Sequence, residues 1–197
     1  VLPEVFSEYS RRFPNVQLLV DRQYGGRVVQ AILENQADFG FTQLPVQDRK
    51  VQAVRIDSDQ IKLIAPPDHV LAQLEAVSAK DVVPFPLILP KTGTTRRRLD
   101  AWLELVEDLV QIKMELDSTE MLKRFVMAGL GVSFVAETNC REEIAAGKLA
   151  AVSLAPEPLI RQVGLVYRKD KALSRAALGF IETVLEHSGK KLAGSAV

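Results

Sequence analysis

Val110–Leu116 (VQIKMEL), Asp117-Ser118, Thr119–Met127 (TEMLKRFVM) and Val132–Val135 (VSFV) follow one another in quick succession. The first piece reads as a strand. In the third, Met121, Leu122, Phe125 and Val126 fall at helical spacing behind a Ser118 cap. Glu120 puts an acid in the first turn, where it suits the helix dipole. Gly129 and Gly131 end the helix, and the last piece is again a short apolar strand. Strand, helix and strand in this order predict a parallel sheet with a crossover helix.

The same rhythm extends outward in both directions. Leu2, Val5, Phe6, Tyr9 and Phe13 mark an amphipathic helix stopped by Pro14, and Val16–Val20 reads as a strand. Gly25-Gly26 opens a second helix with Val28, Val29, Ile32 and Leu33 inward, and Phe39–Phe41 reads as a buried strand. Residues 51–56 and 60–66 are expected to be two strands, 87–89 another, and 94–107 a helix carrying Leu99, Trp102, Leu103 and Val106. Downstream come a helix near 138–146, strands near 149–154 and 160–168, and a last helix carrying Leu173, Ala177, Phe180, Ile181, Val184 and Leu185. Proline pairs at 66–67 and 156–158 split this α/β pattern into two lobes, residues 1–65 with 162–197 and residues 66–161. If the last helix docks on the first lobe, the chain crosses twice and a cleft lies between the lobes.

Composition removes several functions. The 197 residues are 47% hydrophobic and 25% charged, enough apolar material for a core. Lys+Arg 25 balances Asp+Glu 25, so the basic excess that phosphate contacts need is missing. One cysteine, Cys140, excludes an internal disulfide and a multi-cysteine zinc cluster; it reads as a structural or surface thiol rather than a redox switch. His69 and His187 have no metal-ligand spacing, and no metal or cofactor is expected. His69 is expected to face solvent in a crossover turn. No apolar run approaches the roughly 20 residues of a membrane span, and no signal peptide is legible. Val1 stands where a complete chain has Met, so a preceding segment is expected. No nucleophile beside a base and no phosphate loop is legible; an enzyme is not expected.

Four segments together resemble a known family. Leu2-Pro3 through Phe13-Pro14-Asn15-Val16, Gly26 through Leu33, Asp38 and Gly40, Pro66-Pro67-Asp68-His69-Val70-Leu71, and Ala128–Val135 resemble, in order and spacing, the effector-binding domain of LysR-type transcriptional regulators. Val70 and Ala136 stand where that pattern usually has proline. The resemblance implies a periplasmic-binding-protein-like (type II) fold of two Rossmann-like lobes with an inducer in the cleft. It also implies a strand before Leu2 and an N-terminal helix-turn-helix, neither contained in these residues. It further implies a cytoplasmic homodimer, tetrameric at full length, that meets DNA only through the absent domain. A transport-type solute-binding protein shares the fold; it predicts a signal peptide and a monomer.

Helix starts suit small anions, because their N–H groups are unpaired. Three are expected to face the cleft: Gly25-Gly26, Thr92–Thr95 and Ser118-Thr119. Arg96, Arg97 and Arg98 in a first turn oppose the dipole, and a bound anion or carboxylate would reverse that. Thr94, Thr95 and Arg96 are therefore candidate contacts; a threonine cap followed by a solvated basic turn remains the other reading. Ser118 and Thr119 are contacts or a plain cap, and Val132 is a pocket wall or a sheet residue. Val5, Tyr9, Leu18 and Val20 are core positions by periodicity and a dimer edge by resemblance.

Overall fold

The computed structural model describes residues 2–23 and 26–189. The chain divides into two compact units: residues up to Ser58 with those from Gln162 onward, and Asp59–Arg161. The first crossing thus falls at Ser58-Asp59, several residues before Pro66-Pro67.

In the first unit, helix α1 (Leu2–Arg12) and helix α6 (Arg175–His187) pack together on one face of the strands β1 (Phe39–Leu44) and β8 (Leu159–Arg168). Phe180 stacks on Phe39 with ring centroids 4.5 Å apart and meets Phe6 and Tyr9 edge-on at 5.0 Å. The Tyr9 hydroxyl donates to the Ala176 carbonyl at 2.7 Å, so this buried ring has its polar tip satisfied. Helix α2 (Gly26–Leu33) covers the other face through Ile32 against Val166.

This unit departs from the expected parallel pattern. β1 and β8 pair antiparallel, Phe39 opposite Tyr167 through Leu44 opposite Gln162. Val16–Val20 forms no strand; Leu19 and Val20 are 88% and 70% exposed. A strand needs a neighbouring backbone, and β propensity without one leaves the segment irregular. The two strands expected at 51–56 and 60–66 are one, β2 (Val51–Ala65), running through Asp57-Ser58-Asp59 across the unit boundary.

In the second unit, β4 (Pro86–Pro90) lies parallel between β5 (Gln111–Leu116) and β6 (Val132–Ala136), and β6 is antiparallel to the far end of β2. β3 (Ala76–Val77) and β7 (Ala150–Leu154) pair parallel beside them, and β7 joins β2 antiparallel. Alternation on these strands feeds two cores. Leu63, Leu87, Leu89 and Phe134 face helix α3 (Thr94–Leu103) through Leu99 and Leu103. Ile64, Ile88 and Val135 face helix α4 (Thr119–Met127) through Leu122 and Val126. Helix α5 (Arg141–Ala145) packs behind α4, tied to it by Lys123, whose ammonium is 2.5 Å from Glu143. That ion pair holds the Glu143 carboxyl below its ordinary range. Gly131 lets β6 start here: a Cβ at this position would lie 2.3 Å from the Pro86 carbonyl oxygen. The helix expected over 94–107 ends at Leu103 and tightens into a 3-10 turn over Glu104–Val106.

Candidate functional site

The parallel strands β4 and β5 end side by side, with the Lys91 N–H donating to the Leu116 carbonyl at 2.7 Å. α3 leaves over one face and α4 over the other. Their starts thus flank the carboxyl ends of the strands, the end at which α/β sheets take ligands.

The two starts are built differently. Ser118 caps α4, its hydroxyl accepting from the Met121 N–H at 3.4 Å, and Glu120 lies in the first turn. Gly93 stands at the cap position of α3 with φ 99° and ψ −178°, and as a glycine it offers the helix no side-chain cap. No acid lies in that first turn. The Thr94 hydroxyl accepts from Arg97 at 3.1 Å, and Arg98 donates to the Ile160 carbonyl.

Arg96 folds back onto the strand ends. Its Nε donates to Asp100 at 2.6 Å, while Nη1 donates to the Pro90 carbonyl at 3.0 Å and pairs with Glu115. Burial works against the Arg96 charge, but Glu115 and Asp100 outweigh it and raise its pKa. Arg96 is therefore a clasp between α3 and the ends of β4 and β5, with its charge already matched by two carboxylates. Lys91 is the exposed cation beside it.

Thr94, Thr95, Ser118 and Thr119 are brought to this one end of the unit, all half-buried. Val132 is not. It pairs with Leu87 at the opposite end of the strands, fully buried in the core, which leaves it no surface for a pocket wall. Gly26 begins α2 with open space around it, and Gly25 lies outside the described residues. Val5 and Tyr9 are 0% and 1% exposed, consumed by the first unit's own core and so not free to form a dimer edge, whereas Val20 is 70% exposed and Leu18 packs only partly against that core.

His69 differs from expectation as well. It is half-buried, its Nδ1 accepts from the Leu71 N–H at 3.2 Å, and its ring meets Phe85 edge-on at 4.6 Å. Burial lowers its pKa despite the neighbouring Asp68. Cys140 is buried; burial, with Glu143 and Glu137 adding to it, pushes the thiol up to about 11. Such a thiol is a poor nucleophile at neutral pH. Among the described residues no group of His, Cys, Asp and Glu is placed to hold a metal ion, and no helix is long and apolar enough to cross a membrane.

The model of the LysR substrate binding domain matches residues 1–189. The chain belongs to this family. Among the relatives of this LysR domain, the RuBisCO operon transcriptional regulator of Allochromatium vinosum is 27% identical over 189 residues, covering 95% of this chain and 63% of that protein. The uncharacterized HTH-type transcriptional regulator YwqM of Bacillus subtilis is 30% identical over 186 residues, covering 92% of this chain and 62% of that protein. The LysR domain thus spans less than two thirds of the length of either relative. The regulatory domain of CcmR from Synechocystis PCC6803, solved in complex with 2-PG, superposes with a TM-score of 0.85 at 18% identity, covering 95% of this chain and 90% of that one. The effector-binding domain of QuiR, solved with shikimate, gives 0.82 at 12% identity over 96% and 90%. These likenesses establish the type II periplasmic-binding-protein-like fold.

The residues that sequence reasoning missed are Asp59 and Arg161, an ion pair with Nη2–Oδ2 at 3.0 Å. They stand 102 positions apart, and no local pattern signals such a pair.

Proposed function

We propose that this LysR domain is the inducer-sensing and dimerisation part of a bacterial transcriptional regulator, responding to a small anion or carboxylate. The start of α3 carries the proposal: a glycine cap without side-chain capping, at the carboxyl end of a central parallel strand, beside the start of α4. Backbone N–H groups and the dipole at these starts favour negative charge. Thr94, Thr95, Ser118 and Thr119 are the proposed contacts, with Arg96 holding α3 in place. The response requires no covalent step, so the domain acts by binding and not as an enzyme. It can shift a conformational equilibrium by no more than the effector's differential affinity for the two states.

Relatives named as transcriptional regulators favour this reading over a transport-type binding protein. DNA would be held by a helix-turn-helix outside these residues, consistent with a net charge of zero within them. The regulator would work in the cytoplasm as a homodimer, or a tetramer at full length. A second copy would cover the exposed Leu19 and Val20. Sedimentation tests the pairing: a monomer at high micromolar concentration sinks it.

For the site, thermal unfolding is followed with sulfate, inorganic phosphate, small carboxylates, 2-PG and shikimate. A ligand at one hundred times its Kd adds about 2.7 kcal/mol. Thr94→Asp keeps α3 stable, since an acid suits a first turn, and is expected to abolish the response. No shift with any anion, or an undiminished shift in Thr94→Asp, refutes the site.

A further inference from the structure

Asp59 is a carboxylate taken out of water away from the helix starts, its side chain 4% exposed. Its Oδ2 accepts from Arg161 Nη2 at 3.0 Å and from the Thr138 hydroxyl at 2.5 Å. The Arg161 Nε is also buried and has no hydrogen-bond partner. Burying both charges forfeits much hydration, so an incompletely satisfied pair of this kind is a weak source of net stability. Its location is more informative than its strength. Asp59 is the first residue of the second unit on β2, and Arg161 is the last on β8. The two strands are hydrogen-bonded neighbours. The pair thus joins them at both points where the chain passes between units. Thr138 comes from the turn after β6.

α3 grips the same place. Arg98 donates to the carbonyl of Ile160, the residue before Arg161, and the Trp102 indole N–H donates to the Ala155 carbonyl at 2.9 Å. β8 is therefore held at residue 160 by α3 and at residue 161 by β2. The Arg98 bond also gives that side chain a backbone partner, which a solvated basic turn would lack.

We propose that Asp59, Thr138, Arg161 and Arg98 form a latch that ties the two connecting strands to α3, so that an anion taken up at the start of α3 changes how readily those strands bend. The coupling to the anion rests on the function proposed above; the latch itself is testable without ligand.

Hydrogen exchange by mass spectrometry, on the ligand-free protein, is compared for wild type, Asp59→Asn, Thr138→Val and Arg98→Gln. A latch predicts that amides of 57–61 and 159–164 exchange about tenfold faster in Asp59→Asn and Arg98→Gln, and less so in Thr138→Val, while α6 and β4 keep their rates. Acceleration spread evenly over the chain, or none at those segments, overturns the latch. Arg98→Gln and Thr138→Val alter half-exposed or exposed side chains, so they decide the question if Asp59→Asn does not fold. In a second arm, saturating inorganic phosphate is expected to slow exchange in α3 and in both strands of wild type, but in α3 alone in Arg98→Gln. Equal protection of the strands in both proteins overturns the relay through Arg98. Phosphate that protects no segment overturns the anion reading and its coupling, while the ligand-free arm still decides the latch.

Discussion

Helices α3 and α4 leave neighbouring strands at the same end of one sheet, yet their first turns are made in opposite ways. α4 is completed by its own sequence: Ser118 caps it, and Glu120 complements its dipole while pairing with Lys123 three residues on. α3 has a glycine cap and three arginines, two of which reach remote partners. Arg96 is matched by Glu115, 19 positions away, as well as by Asp100, and Arg98 by the carbonyl of Ile160, 62 positions away. A start capped by its own sequence owes little of its stability to the rest of the unit. A start whose arginines are matched by distant groups depends on them.

The largest effects test whether the two helices are anchored alike. Leu99→Ala and Leu122→Ala, at positions 0% and 2% exposed, are each expected to cost about 2–5 kcal/mol in chemical denaturation. A loss below about 1 kcal/mol at Leu99 with the full loss at Leu122 would show that Trp102 and Arg98 hold α3 in place of its core face.

Smaller effects probe the caps. Gly93→Ala forces a side chain onto a backbone at φ 99°, expected to cost about 1–3 kcal/mol. Ser118→Ala removes a long cap bond and is expected to cost about 0.5–1 kcal/mol. Unfolding midpoints that rank Ser118→Ala below Gly93→Ala would break the contrast.

The smallest expected effect is a control outside both starts. Because burial lowers the His69 pKa, the unfolded chain takes up the proton more readily. The contribution of neutral His69 is complete above the unfolded value of about 6.5 and declines as pH falls through it towards the folded pKa. Protonation also removes Nδ1 as acceptor for the Leu71 N–H. Urea midpoints should therefore fall between about pH 7.5 and pH 5.5 in wild type, and fall less in His69→Gln. Equal slopes in the two proteins would remove His69 from the pH response.

Legibility followed the range of the interactions. The second unit reads well because its strands are bounded by Pro, Gly and caps, and because β5, α4 and β6 complete one another within 26 residues. The first unit reads poorly at Val16–Val20, where β-branched and aliphatic composition predicts a strand that no paired neighbour supports. At β2, Asp57-Ser58-Asp59 looks like a loop from sequence. The strand continues through it because Arg161 and Thr138 satisfy Asp59. Val5 and Tyr9 carry an apolar spacing that fits a core or a partner equally; only the packing against Phe180 and the hydrogen bond to Ala176 assign them to the core.

Periodicity and caps were enough for the α/β class and for the starts of α3 and α4, because each rests on residues within about one turn or strand of each other, whereas the family came from the resemblance of four segments spread along the chain. Tertiary structure alone decided what the arginines of α3 do, which apolar residues stay on the surface, and where β2 and β8 are tied. Those outcomes depend on pairing groups up to 102 positions apart, and the energy of such pairs is set by burial and geometry rather than by neighbours in sequence.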